Sequence, residues 1–194
     1  MRVRITYEKT GTVCFVPHVE MPTLFSRSLR RAGLRQVFTE GMSPHPKVSL
    51  GPPLPVGVFS LCELADFWLE QWTSSDLTSW NKCLPKGLKV TKACHTEGRS
   101  LSKLCDAAQY ILQFRSMKEA SAALCVLKES VEWARIAPSI ENSIEVVLLR
   151  PYQASPTLFV KVLSERGVIS SWKDIRIVRT KLGRFHAQVV VSLL

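Results

Sequence analysis

The chain has 194 residues, of which 46% are hydrophobic and 22% charged, and its net charge is +10 at pH 7. This length and composition exclude a disordered chain and allow one large domain or two small ones, each able to bury a core. The charge favours an anionic partner, and nucleic acid ranks ahead of a membrane because no amphipathic basic helix with an aromatic face is present. The alternative is that the excess lysine and arginine only keep the protein soluble.

Six cysteines, at positions 14, 62, 83, 94, 105 and 125, are too far apart for a local zinc or iron–sulfur motif. Cys14 and Cys125 stand among hydrophobic neighbours, where a reduced thiol behaves as a small buried side chain. The N-terminus lacks the apolar run of a signal peptide, and no stretch approaches the length of a membrane span. We therefore expect a cytoplasmic protein that holds no metal or cofactor and contacts no membrane.

The first half of the chain alternates between strand and helix patterns. Hydrophobic and polar residues alternate at 2–8, which is typical of a half-buried strand, and extended structure resumes at 13–16. From 19 to 33 the period becomes helical, with Pro22 in the first turn and Gly33 at the end. The further predictions are strands at 34–40, 47–50, 62–70 and 88–94, a helix at 75–84 and an irregular proline-rich loop at 51–57.

This order of elements is that of a ferredoxin-like βαββαβ unit, in which two helices cover one face of an antiparallel sheet. The polar residues 95–103 then mark a boundary, after which the pattern begins again less regularly. The predictions for this second half are strands at 107–115, 131–136, 144–150, 158–163, 175–178 and 187–193, a helix at 117–130 and a short helix at 170–174. The sequence thus predicts an α+β protein of two ferredoxin-like units with antiparallel sheets, residues 1–97 and 104–194.

Cationic and imidazole side chains concentrate between residues 9 and 47. The candidates for a shared site among them are Lys9, His18, Arg27, Arg30, Arg31, His45 and Lys47. The three arginines fall on a helix face away from the hydrophobic stripe, and the others precede or follow that helix on loops. We expect the topology to bring the set to one rim of the sheet, where it suits phosphate, with Glu20 as the carboxylate that orients His18.

A basic run near the C-terminus has two interpretations. Arg176 and Arg179 flank an apolar strand, so they are predicted to form a solvated edge that discourages edge-to-edge pairing. Contact with an anionic partner is the alternative.

Short motifs in the first third carry a resemblance. The blocks are Lys9-Thr10-Gly11, His18-Val19-Glu20, Arg27 with Arg30-Arg31-Ala32-Gly33-Leu34, Gly41 with Pro44-His45-Pro46-Lys47, and Pro53-Leu54-Pro55 with Gly57, Ser60 and Glu63. Their order and spacing resemble a bacterial family, the radical-SAM-associated domain of unknown function. The resemblance implies a protein that occurs alone or fused behind a radical-SAM domain, with genes in the company of ribosome- and RNA-processing genes.

The chain departs from the family pattern at four positions: Pro17 replaces a serine, Glu20 an aspartate, Arg35 a proline and Met42 a phenylalanine. Glu20 keeps the charge but moves it one methylene outward. The chain begins at the domain itself and has no cluster-binding cysteines, so we expect any radical chemistry to need a separate enzyme.

Three functions remain open. The first is a non-catalytic accessory protein that binds RNA (tRNA or rRNA) or a ribosome-related substrate, with a separate radical-SAM enzyme as a possible partner. We expect it to read shape and phosphate rather than stacked bases, because no aromatic pair marks a central strand. The second is a metal-independent enzyme of RNA processing, with His18 or His45 as general acid/base, Glu20 orienting it and Arg or Lys holding an anion. The third is a purely structural role for the motifs.

Overall fold

A computed structural model describes residues 1–131 and 134–194. The helices and strands are β1 (Arg2–Lys9), α1 (Met21–Arg31), β2 (Val48–Leu50), β3 (Phe59–Trp68), α2 (Ser74–Cys83), β4 (Leu88–His95), α3 (Leu101–Leu104), β5 (Ala107–Phe114), α4 (Met117–Ser130), β6 (Ala134–Pro138), β7 (Ser143–Leu149), α5 (Thr157–Glu165), β8 (Ile175–His186) and β9 (Val189–Ser192). Short 3-10 helices lie at Gly11–Phe15, His18–Glu20 and Trp172–Asp174. None of the helices formed by these described residues is long and apolar enough to cross a membrane.

The strands of the described residues form one nine-stranded sheet. Along the sheet they follow the order β4-β1-β3-β8-β5-β7-β6, while β2 pairs with β3 and β9 pairs with β8. The pairing of β3 with β8 is parallel and joins Phe59 to Val178 and Ser60 to Arg179. The other pairings are antiparallel. The predicted α+β class with a mostly antiparallel sheet is confirmed.

The strand order repeats between the two halves of the chain. In the first half the neighbours run β4-β1-β3-β2, and in the second half they run β8-β5-β7-β6. Each half also places its helices in the same positions along the chain, after its first and third strands. The two halves meet where β3 pairs with β8, so this short parallel contact is the junction between them.

One hydrophobic core lies between the first-half sheet and helices α1 and α2. Phe25 of α1 stands edge-on to Tyr7, Phe67 and Trp80, with ring centroids 5.0, 5.2 and 5.8 Å away. The Trp80 indole donates a hydrogen bond of 2.8 Å to Ser28 Oγ, which itself donates to the Phe25 carbonyl. The buried indole N–H of Trp80 and the buried hydroxyl of Ser28 therefore both have partners, as a packed interior requires.

A second core fills the other half of the protein and extends into the first. Its members include Tyr110, Leu112, Phe159 and Leu163 from the second half. The first half contributes Leu54, Val58, Cys62 and Leu64 to the same core. Hydrophobic burial is therefore continuous across the junction, and each half loses buried apolar area if the other is removed.

The polar segment 95–103 packs back on the sheet. Leu101 is buried, and the Arg4 guanidinium donates both to the Arg99 carbonyl (3.2 Å) and to the two carboxylate oxygens of Asp66 (2.7 and 2.9 Å). Arg4 and Asp66 are both buried. This segment thus covers a buried ion pair on β1 and β3.

Several predicted elements differ in the structure. Residues 13–16 were expected to be extended but fall largely in the 3-10 helix Gly11–Phe15, and 34–40 contributes only isolated bridges at Gln36 and Phe38 among the described residues. The predicted strand 158–163 is wrong, because these residues form α5, whose buried Phe159, Val160 and Leu163 follow a helical period. Of the predicted strand 131–136, residues 132–133 lie outside the described residues, and β6 begins at Ala134.

Candidate functional site

The first group of polar side chains lies at the junction of the two halves, and we call it the seam cluster: Lys9, Glu63, Tyr110 and Arg179. Arg179 has no exposed surface, and its Nη1 donates to both oxygens of Glu63 at 2.8 and 3.0 Å. Its Nε and Nη2 donate to the Tyr110 hydroxyl at 3.0 and 2.8 Å. Because Glu63 is on β3, Tyr110 on β5 and Arg179 on β8, this network ties the two halves together.

The proline-rich loop completes the environment of Arg179. Its Nη1 donates to the Pro52 carbonyl and its Nη2 to the Pro53 carbonyl, both at 3.0 Å. A buried guanidinium is tolerated only when its donors are satisfied and its charge is paired. The loop therefore supplies acceptors that a buried arginine needs.

The prediction that Arg179 lies on a solvated sheet edge is wrong. Strand β8 lies between β3 and β5 inside the sheet, and the Arg179 side chain is fully buried. Arg176, by contrast, is exposed and stands 4.7 Å from the Phe59 ring centre. Residues on one strand alternate between the faces of a sheet, and a basic run therefore does not share one environment.

Burial and charge set the protonation of the seam cluster. Burial acts to lower the pKa of Arg179, but Glu63 and Tyr110 outweigh it and hold that pKa above its ordinary value. Burial lowers the pKa of Lys9, partly opposed by Glu63. The Lys9 Nζ donates to the Val16 carbonyl at 2.7 Å, and only 2% of the residue is exposed. Lys9 thus fixes the backbone that leads to His18.

His18 is half-buried near the seam cluster. Burial lowers the pKa of His18; Glu63 opposes this shift, and Lys9 and Arg179 add to it. Glu20 is exposed, and no hydrogen bond joins it to His18 in the part of the chain that the structure describes. Glu63 is therefore the carboxylate whose charge acts on the pKa of His18. The sequence motif contains both residues, but it does not show that one influences the other.

The second group lies on the exposed face of α1. The hydrophobic stripe of this helix is buried, as its period predicts, and it is formed by Met21, Phe25 and Leu29. Arg27 and Arg30 lie off this stripe and are exposed. These two arginines and His45 line one cavity of about 530 Å³. The other lining residues are Pro22, Thr23, Ser26, Pro46 and Val48.

A neighbouring cavity continues along the same helix. It also has a volume of about 530 Å³ and shares Ser26 and Arg30 with the first. Its remaining lining residues are Gly33, Leu34, Arg35, Gln36, Phe38 and Glu70. We call the two cavities together the α1 groove.

The outer wall of the α1 groove is a hairpin-like arm, residues 36–47. Its two sides are joined by backbone bonds from Thr39 N to His45 O and from Lys47 N to Val37 O, both 2.8 Å. The Val37 amide also donates to the Trp68 carbonyl of β3 at 2.8 Å. These bonds fix the arm against the sheet and hold His45 opposite Arg27 and Arg30.

The remaining predicted anion-binding residues lie elsewhere. The Arg31 guanidinium donates to the Cys83 carbonyl at 2.7 Å and lines a cavity of about 360 Å³ with Glu20 and Arg27. The Lys47 ammonium stands 5.1 Å from the Trp68 ring centre, a cation–π distance. The predicted set is therefore not gathered on one surface: Lys9 belongs to the seam cluster, and Arg31 and Lys47 lie outside both groups. Arg27, Arg30 and His45 share the first cavity of the α1 groove.

Residues 2–151 match the family described as "Uncharacterized protein conserved in bacteria (DUF2344)". The chain belongs to this bacterial family. The match includes every motif residue from Lys9 to Glu63, whereas Arg179, the partner of Glu63, lies beyond it. Nothing in the family description assigns an activity to these residues.

Other comparisons are distant. No curated protein matches the chain. Among solved structures, it is similar to the first two RRM domains of yeast poly(U)-binding protein at 9% identity and a TM-score of 0.25, over 91% of this chain and 98% of that chain. It is also similar to a microcompartment protein from Desulfitobacterium hafniense at 13% identity and a TM-score of 0.23, over 95% of each chain.

Within the described residues, no group of three or more His, Cys, Asp or Glu side chains is placed to hold a metal ion. The arrangement in the α1 groove has a different chemistry. Guanidinium groups provide paired donors in one plane that match the oxygens of phosphate, and an imidazole adds a further donor. The groove is therefore suited to an anion that carries phosphate.

Proposed function

We propose that this protein is a non-catalytic accessory protein that binds RNA, of the tRNA or rRNA class, through phosphate contacts in the α1 groove. The observation that carries the proposal is the shared cavity of Arg27, Arg30 and His45. We further propose, on the resemblance of the motifs, that it serves a separate radical-SAM enzyme acting on that RNA.

The arginines of the groove are available to a ligand. Arg27 and Arg30 are exposed, and neither guanidinium has a hydrogen bond or ion pair to another residue of the described ranges 1–131 and 134–194. The net charge of +10 adds a long-range attraction for a polyanion. Lys and Arg that contact phosphates also release counterions, which gives RNA binding a strong dependence on salt.

We also propose that the chain is built of two ferredoxin-like units, residues 1–97 and 104–194. The repeated strand order supports this division, while the core residues shared across the junction indicate that the units fold against each other. A cytoplasmic location is proposed as well. It is supported by the cysteines, all six of which fall in described segments and are free thiols.

Binding of tRNA and rRNA fragments, measured by fluorescence anisotropy over a series of salt concentrations, tests the proposed function. The logarithm of the association constant should fall linearly with the logarithm of salt concentration. Arg30→Gln should reduce the steepness of this slope by about 0.7 to 0.9, the range for one lost phosphate contact on single-stranded or duplex nucleic acid. Arg184→Gln, the same change of charge at an exposed site in the second half, is the control. Binding that does not weaken with salt would overturn the proposal.

A second candidate is the metal-independent enzyme, and the surroundings of His18 favour it. A lowered pKa keeps the imidazole neutral at pH 7, as a general base requires, and Glu63 and Lys9 are close enough to influence it. Replacing His18 or His45 by alanine separates the candidates. Loss of turnover with retained binding supports an enzyme that uses His18, His45 and Glu20, whereas loss of binding alone supports the accessory protein.

The third candidate, a structural role, applies best to the seam cluster. Lys9 and Arg179 donate to loop carbonyls, and Glu63 neutralises Arg179 in the interior. We propose that the Lys9 and Glu63 motifs hold the proline-rich loop and the two halves together. In this proposal ligand contact is left to Arg27, Arg30 and His45.

A further inference from the structure

We propose that the α1 groove binds one nucleotide unit of a single-stranded RNA, with its phosphate beside Arg27, Arg30 and His45 and its base against Phe38 and Gln36. This inference rests on the proposed RNA-binding function and extends it from phosphate contact to recognition of an unpaired base.

The groove has two compartments of different chemistry. The first is lined by the cations Arg27, Arg30 and His45, and the second contains Phe38 and Gln36. Ser26 and Arg30 line both, so the compartments adjoin. A nucleotide carries its phosphate and its base on different sides of the ribose, and therefore needs such a pair of neighbouring compartments.

Phe38 is held in an exposed position by the arm. About half of its side chain (52%) is accessible, although phenylalanine is usually buried. Its backbone bridges to Pro46, and the neighbouring residues Val37 and Thr39 are bonded across the arm. An aromatic ring fixed at the mouth of a basic groove is the platform on which proteins stack unpaired bases.

Gln36 supplies an unused hydrogen-bond donor in the same compartment. Its Nε2 is buried and has no acceptor anywhere in the described chain. Buried amide groups nearly always have a partner, so an orphaned one needs an explanation. The edges of bases present carbonyl and ring-nitrogen acceptors, and the Gln36 amide can donate to a base stacked on Phe38 once its side chain turns toward the compartment.

A cationic compartment next to one with an exposed aromatic ring favours a single-stranded RNA over a duplex and over an acidic peptide. In a duplex the bases are stacked and paired within the helix, so proteins read its shape and phosphates instead. A peptide of aspartate and glutamate supplies anions for Arg27 and Arg30 but has no flat ring to stack on Phe38. The aromatic compartment is therefore the feature that selects an unpaired base.

Anisotropy titrations with a short unstructured single-stranded RNA and with a duplex of the same sequence test the inference. The single strand should bind more tightly than the duplex. Phe38→Ala should weaken single-strand binding about tenfold, the effect of losing one stacked base, and leave duplex binding unchanged. Phe15→Ala is the matched control, because Phe15 is also an exposed phenylalanine (65%) but does not line the groove.

Gln36→Met provides a second variant of similar shape without the amide, and it should weaken single-strand binding by a smaller factor. Thermal unfolding of each variant verifies that it is folded. If Phe38→Ala does not fold, the inference is tested with Gln36→Met instead. Equal affinity for single strand and duplex, insensitive to both variants, overturns this inference and leaves the proposed function standing. Failure of both RNAs to bind overturns both proposals. Displacement of the RNA by polyglutamate at matched charge, with no effect of Phe38→Ala, assigns the groove to acidic peptides and overturns the inference.

Discussion

The seam cluster and the α1 groove use the same kinds of side chain in opposite ways. In the seam cluster, Arg179 and Lys9 are buried, and each donates to a carboxylate or a backbone carbonyl. In the α1 groove, Arg27 and Arg30 are exposed and lack protein partners within residues 1–131 and 134–194. Lys9 and Glu63 of the seam cluster come from the same basic and proline-rich part of the sequence as the α1 groove, yet the two regions have different physical environments.

This difference separates residues that hold the fold from residues that are free to bind. A buried cation that has lost its partner is strongly unfavourable, so changes in the seam cluster should appear as lost stability. An exposed arginine contributes little to folding, so changes in the α1 groove should appear as lost affinity. Each prediction below tests one side of this comparison.

The largest effect is expected at Glu63. Glu63→Gln removes the charge that neutralises buried Arg179 and should lower the free energy of unfolding by about 3–5 kcal/mol. Urea denaturation followed by circular dichroism measures this change. Glu70→Gln is the control, since the Arg35–Glu70 pair is exposed with its atoms 3.8 Å apart. It should lose less than about 1 kcal/mol. Equal losses of unfolding free energy in the two variants would show that the buried Glu63–Arg179 pair stabilises the fold no more than an exposed pair does.

Lys9 should behave like the seam cluster and not like an RNA ligand. Lys9→Met leaves the Val16 carbonyl without its donor and should lower the free energy of unfolding by about 1–3 kcal/mol. RNA affinity, measured by anisotropy below the unfolding transition, should not change. If instead affinity falls as far as it does in Arg30→Gln while stability holds, Lys9 belongs to the ligand site.

Neighbouring arginines on α1 allow a test within the groove itself. Arg30→Gln should weaken RNA binding about tenfold, or about 1.4 kcal/mol, because it removes a charge-assisted phosphate contact. Arg31→Gln makes the same change of charge one residue away, where the guanidinium already donates to the Cys83 carbonyl. It should weaken binding less. Identical losses would mean that RNA senses total charge rather than the shape of the groove.

The smallest effect concerns His18 and pH. Burial lowers the pKa of folded His18 below the ordinary value of 6.5, so the unfolded chain takes up a proton first as the pH falls. The contribution of His18 to the free energy of unfolding is therefore fully present above pH 6.5. It is lost as the pH falls below 6.5 and through the lower pKa that His18 has in the folded state. His18→Gln should reduce the loss of unfolding free energy between about pH 7.5 and about pH 5. An unchanged or steeper pH dependence would contradict this assignment.

Periodicity predicts the α1 groove in part. The spacing of Met21, Phe25 and Leu29 determines which face of α1 is buried, so the exposed position of Arg27 and Arg30 follows from sequence. The groove also needs the arm as its outer wall, and the structure of the arm cannot be predicted from the sequence. Residues 34–40 have a strand-like composition, but their backbone bonds go mainly to the turn of the arm and to the residues at the end of β3.

The seam cluster escapes prediction because its partners are far apart in sequence. Glu63 and Arg179 are separated by 116 positions, and they meet only because β3 pairs with β8. Local patterns contain no information about that pairing, so Arg179 resembles any other exposed strand arginine. The prediction of a strand at 158–163 is wrong for a related reason. Phe159, Val160 and Val162 favour strands individually, but the segment forms helix α5 because a helix packs its apolar residues against the core.

The most direct test of the account measures unfolding free energy and RNA affinity on the same two variants, Glu63→Gln and Arg30→Gln. We predict a crossed result: Glu63→Gln loses stability and keeps its affinity under folding conditions, whereas Arg30→Gln keeps its stability and loses affinity. If Arg30→Gln binds RNA as tightly as the unaltered chain, the α1 groove is not the RNA site and the central claim is contradicted.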